Sequence, residues 1–229
     1  MARFVTGTGS SQVCSNSGGP EHGHQNAATR RTLIAACVLA IAAGGCGEPA
    51  ATIRGLNEDS VLLAFGDSLT SGKGAAAKDT YPPVLSRLTG YKVINAGLPG
   101  ELSAAGLERL PSALASHRPD LVILCHGGND MLQKRDADEV ASNLDAMIAI
   151  IKQSGADVIL IGVPEPGIFL GTAPFYEELA RQHRIPCDED IVAEILADAS
   201  LKSDYVHPNA QGYRRLAESV AALIGESQS

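Results

Sequence analysis

From Ser60 onward, short aliphatic runs alternate with amphipathic stretches, and this alternation restricts the chain to one class of architecture. The runs are Val61 to Phe65, Lys92 to Ala96, Leu121 to His126 and Asp157 to Val163, with a weaker one around Arg184 to Cys187. They are nearly continuous in β-branched and aliphatic residues, as strands buried on both faces must be. Between them, Tyr81 to Leu88, Leu102 to Ser116, Ala137 to Gln153 and Pro174 to His183 carry apolar residues at helical spacing. A final helix places Leu216, Val220 and Ile224 on one face and Arg214, Arg215 and Glu218 elsewhere. Strands joined by helices predict an α/β fold, a three-layer α/β/α sandwich around a five-stranded parallel sheet. No internal repeat interrupts the pattern.

Open sheets of this kind bind ligands outside the carboxyl ends of their strands, so chemistry-bearing residues should follow a strand. Gly66, Asp67, Ser68, Leu69 and Thr70 follow the first. A nucleophilic serine needs a tight strand-to-helix turn that exposes its hydroxyl and turns its own N–H toward a developing oxyanion. The same residues would also make an ordinary Asp-Ser helix cap. A nucleotide-binding loop is excluded: five residues separate Gly66 from Gly72 where that loop has four, and Gly74 follows Lys73 where it needs Ser or Thr.

The turn Asn95 to Gly100 follows the second strand and offers Gly100 as a backbone donor with no side chain in the way. Gly127, Gly128, Asn129 and Asp130 follow the third, where the Asn129 amide is a candidate fixed donor. Read singly, each is equally a plain turn. His126, at the end of an apolar strand, ranks below His207 as a base, because a packed, hydrogen-bonded histidine is commoner there. Just before the last helix, Asp204 lies three residues ahead of His207, so its carboxylate can accept from Nδ1 and leave Nε2 free for a serine. Pro208 disfavours the α conformation at His207 and suits the start of the helix that follows.

Ser, two glycine-rich donor turns and Asp-x-x-His, in that order, resemble the GDSL or SGNH hydrolase family over roughly residues 60 to 224. The closest look is to its multifunctional thioesterases, arylesterases and lysophospholipases, which often begin GDSLT and read GGND in the third block. The resemblance implies a flavodoxin-like strand order 2-1-3-4-5, no metal and no cofactor. It implies Ser68 as nucleophile, His207 and Asp204 as base and orienter, and Ser68, Gly100 and Asn129 as oxyanion donors. The α/β-hydrolases are a poorer fit, since position 70 is Thr where their nucleophile motif has Gly. The activity implied is hydrolysis of carboxylic esters or thioesters through an acyl-enzyme. Rival readings are a carbohydrate O-acyl esterase on the same fold and a lipoprotein that only binds in the cleft.

Upstream of this domain, Arg30 and Arg31 precede an apolar run from Leu33 to Ala43, too short to span a bilayer and followed by Gly44, Gly45 and Cys46. The pattern reads as a leader and signal peptide over residues 1–45. Its ending resembles a bacterial lipobox with Ala43 in the usual Leu position, which implies a lipidated Cys46, and residues 46–59 read as that cysteine and a tether. The paired arginines also resemble a twin-arginine export signal. The expected location is therefore extracytoplasmic, membrane-anchored and on the periplasmic side, with the hydrolase domain over 60–226. Cys125 and Cys187, with no metal-ligand spacing, read as free thiols.

A formal charge of -8, from 18 basic and 26 acidic residues, argues against a nucleic-acid partner. Aromatic residues make up 4% of the chain with no Trp, which disfavours a sugar-stacking platform. The expected partner is a small-molecule or lipid ester. The loop Val163 to Tyr176 follows the fourth strand, so Phe169, Leu170, Phe175 and Tyr176 are candidate substrate contacts, or else pack the next helix.

Overall fold

The computed structural model describes residues 51–167 and 171–228; the expected signal peptide and Cys46 lie outside them. In chain order the elements are β1 (Val61–Gly66), α1 (Ser68–Ser71), α2 (Tyr81–Thr89), β2 (Lys92–Gly97), α3 (Ser103–His117), β3 (Leu121–Cys125) and α4 (Gly128–Leu132). They continue as α5 (Ala137–Gln153), β4 (Asp157–Ile161), α6 (Phe175–His183), β5 (Cys187–Asp188), α7 (Ile191–Ala197) and α8 (Ala210–Ser227). The strands form one parallel sheet in the order β2-β1-β3-β4-β5, the expected α/β arrangement. Helices α2 and α7 pack on α8, and α3 and α6 pack on α5, giving a helical layer on each face.

The aliphatic runs are strands because the sheet is covered on both sides. Every residue of β3 is buried, as are Leu62 to Gly66 of β1 and Val158 to Ile161 of β4. Each large aliphatic side chain so removed from water contributes about 1.5–3 kcal/mol. The edge strand β5 is shorter and later than its apolar run suggests. Arg184 caps α6 in the left-handed conformation at φ 53°, and Pro186 has no N–H to give, so pairing starts at Cys187. The short helices α1, α4 and α7 leave no readable period in the sequence. Nor is the expected tether of residues 46–59 loose throughout. Ile53 is 2% exposed and bonds through its N–H to Ser227 O at 2.9 Å, and Arg54 pairs with Asp157 at the amino end of β4.

Register places the site. Gly66 ends β1 opposite both Gly97 of β2 and Cys125 of β3, so three turns leave the sheet at the same height. The chain runs from β1 to β2 on one side and from β2 across to β3 on the other, which opens a crevice at this switch point. The strand ends are held so close that a Cβ on Gly66 would lie 1.9 Å from Cys125 O and 2.5 Å from Thr70 Oγ1. The close approach of β3, rather than an unusual backbone angle, is what demands glycine there. Gly66→Ala should therefore destabilise the domain by at least the roughly 1–3 kcal/mol of an overpacked core, read as a lower urea midpoint at unchanged slope.

Candidate active site

Ser68 opens α1, and the residue before it, Asp67, caps that helix by accepting from Leu69 N–H at 3.0 Å. The turn stops after four residues because Gly72 enters the left-handed region at φ 90°. A one-turn helix leaves the Ser68 hydroxyl at the mouth of the crevice, where His207 Nε2 approaches Oγ to 3.0 Å. On its other side the imidazole Nδ1 lies 2.8 Å from both oxygens of Asp204. A carboxylate facing Nδ1 fixes the proton there, so Nε2 turns its lone pair toward the serine. Burial pushes the Asp204 carboxyl up, but the Val206 N–H and the bonds from His207 outweigh it and hold it below its ordinary value.

The loop that carries these two residues is set by Asn209. Its carbonyl accepts from Gln211 and Gly212 N–H at 2.9 and 3.1 Å to cap α8, while its amide donates to Ser200 O at 2.7 Å. Ser203 N–H bonds His207 O at 2.9 Å and closes the loop on itself. His207 is thereby 6% exposed and held against the serine.

The donor turns converge on the same point. Gly100 sits at φ 79° in a turn closed by Glu101 N–H to Leu98 O at 3.2 Å. Among the described residues the N–H groups of Ser68 and Gly100 have no acceptor. The Asn129 amide, by contrast, donates to Asp67 Oδ2 at 3.2 Å and to Glu101 O at 3.0 Å, so both of its hydrogens are engaged at rest. Burial raises the Asp67 carboxyl above its ordinary value, against the pull of His126, the Leu69 N–H and His207.

His126 is fully buried at the end of β3, out of reach of solvent. Its Nδ1 accepts from Gly127 N–H at 2.9 Å, which leaves Nε2 as donor to Glu101 at 3.2 Å. The Glu101 carboxylate also receives a two-pronged Arg109 guanidinium at 2.7 and 2.6 Å. Burial would raise Glu101, but Arg109 and then His126 hold it down to about 2. Neither Glu101 nor Arg109 stands out in the sequence as a site residue. The available signal was only that Glu101 follows Gly100 and that Arg109 falls two helical turns later.

A cavity of about 550 Å³ opens over Ser68, within the range of small-molecule sites. Gly100, Asn129 and His207 line it at the serine, and Leu132, Val163, Pro164 and Leu196 give it an apolar wall. Two expected contacts are corrected. Tyr176 is fully buried beneath the site, its hydroxyl donating to His126 O at 2.7 Å, and Phe175 packs against the core. The loop reaches the cavity through its earlier residues Val163 to Gly167, and Phe169 and Leu170 lie outside the described residues. Tyr205 and Val206, the spacer between Asp204 and His207, also line it. Among the described residues no three His, Cys, Asp or Glu side chains gather as a metal site needs.

Residues 64–215 match the model of the GDSL-like lipase/acylhydrolase family. The chain belongs to that family. It is 30% identical over 171 residues to an arylesterase of Vibrio mimicus, covering 70% of this chain and 86% of the relative. It is 28% identical over 181 residues to thioesterase 1/protease 1/lysophospholipase L1 of Escherichia coli K12, covering 76% and 86%. The crystal structure of TesA superposes with a TM-score of 0.66 at 27% identity, covering 73% of this chain and 99% of that one. AlinE4, an SGNH-hydrolase family esterase, gives 0.56 at 30% identity, covering 75% and 98%. This GDSL-like protein is accordingly a serine hydrolase acting on ester bonds.

The buried Glu101 pair also predicts acid behaviour. A carboxyl lowered from 4.5 to about 2 on folding contributes stability that is complete above 4.5 and lost as pH falls toward 2. In thermal melts, the Tm gap between wild type and Glu101→Gln should stay constant above about pH 5 and shrink steadily below it.

Proposed function

We propose that Ser68 is the nucleophile of this esterase, His207 its general base and Asp204 the group that orients and charges the base. The unbroken chain from Asp204 through His207 to Ser68, at 2.8 and 3.0 Å, carries this reading. Ser68 Oγ attacks the acyl carbonyl as its proton passes to Nε2, and the carbonyl oxygen becomes an oxyanion. The unengaged N–H groups of Ser68 and Gly100 meet that charge, and Asn129 adds an N–H by sharing or releasing one of its two resting acceptors. Collapse breaks the bond to the leaving oxygen or sulfur, which takes the proton from His207. Water, activated by the same imidazole, then adds to the acyl-enzyme and releases the acid.

The apolar wall of Leu132, Val163, Pro164 and Leu196 supports an aliphatic or aryl acyl group, in line with relatives named arylesterase and thioesterase. The same cavity is also lined by Lys73, Glu165 and Tyr205, so the carbohydrate O-acyl esterase reading is the one to test beside it, by assaying deacetylation of acetylated sugars. Along a series of p-nitrophenyl esters, kcat/KM should rise by up to about fourfold per added methylene, the worth of about 0.8 kcal/mol, until the wall is filled. Ser68→Ala should lose at least a thousandfold in kcat and all labelling by an organophosphonate, a loss typical of removing a nucleophile. Substantial turnover by the folded variant would refute the assignment of Ser68.

The exported, lipid-anchored form rests on Arg30, Arg31, the run from Leu33 to Ala43 and Cys46. Mass spectrometry of the protein from bacterial membranes should find a processed chain beginning at a diacylated Cys46. A Cys46→Ala variant should appear in the soluble fraction, and unchanged membrane partition would count against the anchor.

A further inference from the structure

We infer that Glu101, clasped by Arg109 and His126, is a positioning residue that sets the spacing of the two oxyanion-donor turns. The inference rests on the proposed oxyanion roles of Gly100 and Asn129. Within two residues, the turn after β2 puts Gly100, whose N–H has no acceptor among the described residues, on the cavity wall and uses Glu101 C=O to hold the Asn129 amide at 3.0 Å. Wherever Glu101 goes, one donor and the anchor of the other go with it.

The Glu101 side chain fixes that turn from below. Its carboxylate is 3% exposed and takes the Arg109 fork from α3, whose guanidinium lies 4.1 Å over the Phe65 ring of β1. It also receives His126 Nε2 at 3.2 Å, and the same ring accepts the N–H of Gly127, the cap of the helix that carries Asn129. One buried carboxylate thus ties the turn after β2 to the turn after β3. Asp130 adds a second tie, accepting from the N–H and hydroxyl of Ser103 at 2.8 Å each. Space for the imidazole is reserved as well: a Cβ on Gly106 of α3 would come within 2.4 Å of His126 Nε2. His126 is therefore a brace for the donor turns, with no path to substrate.

The test compares Glu101→Gln, Arg109→Met and Arg109→Lys with wild type and Asn129→Ala. For each, kcat and KM on a p-nitrophenyl ester are measured beside affinity for an alkylboronic acid, which forms a tetrahedral serine adduct, and for a fatty acid, which does not. Glu101→Gln and Arg109→Met should lower kcat about ten- to a hundredfold, below the 10²–10³ lost with a whole donor, with KM within about twofold. Boronate affinity should fall in step with kcat/KM while fatty-acid affinity holds, and Arg109→Lys should recover part of the loss. Arg109 is partly exposed, so its variants keep the question answerable if Glu101→Gln does not fold. Wild-type kcat in the folded variants, or equal loss of boronate and fatty-acid binding, would overturn the positioning role while Asn129→Ala stays impaired. Full activity in Asn129→Ala would instead remove the oxyanion reading on which it rests.

Discussion

The near-contact between the ends of β1 and β3 is the constraint from which the site follows. Gly66 has no room for a Cβ against Cys125 O, and Gly97 has none against Ser71 N, 2.1 Å from the place it would occupy. With all three strand ends in register, the turns after β1, β2 and β3 start level and within reach of one another. Asp67 can then touch Asn129 although 62 residues separate them, and Glu101 can touch His126. A one-residue slip of β1 would carry Ser68 away from His207, whose position is fixed independently by Asn209 and α8.

Much of this was legible in the sequence because the physics behind it is local. Buried parallel strands need continuous aliphatic runs, and β1, β3 and β4 begin where those runs begin. An Asp three residues before a His, with Pro208 and Asn209 after it, is a self-contained loop, and its geometry is as the spacing implies. What escaped depends on tertiary approach. Glu101 reads as an ordinary turn residue until Arg109 is wound back over it by α3. Tyr176 reads as a rim aromatic until α6 turns it inward under His126. The need for glycine at position 66 is hidden for the same reason, because the Cys125 carbonyl that leaves no room for a Cβ belongs to a different strand.

Three carboxylates within this small region occupy different electrostatic states, set by their partners together with the depth of their burial. Asp67 and Glu101 are both buried, yet Asp67 is raised while Glu101 is held down to about 2. Glu101 has a guanidinium in fork geometry and an imidazole N–H; among the described residues the donors to Asp67 are the Leu69 N–H and the Asn129 amide. Asp204, half-exposed at 46% of its side chain, is lowered by two backbone N–H groups and by His207. In the proposed role Asp204 must stay ionised to hold the imidazolium of the transition state, and solvent and N–H groups both support its charge.

The engaged amide of Asn129 bears on selectivity between ground and transition states. A neutral ester carbonyl is a weaker acceptor than the groups already bound to Nδ2, so it gains little by displacing either of them. An oxyanion is a far stronger acceptor and competes with a neutral peptide carbonyl such as that of Glu101. In the proposed role, Asn129 therefore contributes chiefly once charge has developed, which is the condition for an interaction to raise kcat rather than lower KM. In the same proposed role, the N–H groups of Ser68 and Gly100, which have no acceptor among the described residues, are available from the start to orient the carbonyl. The proposed hole, with two ready donors and one that must be won by the stronger base, would combine positioning with discrimination. The discrimination depends on the Glu101 carbonyl staying where Arg109 and His126 put it, so that it can be exchanged without the amide swinging away from the cavity.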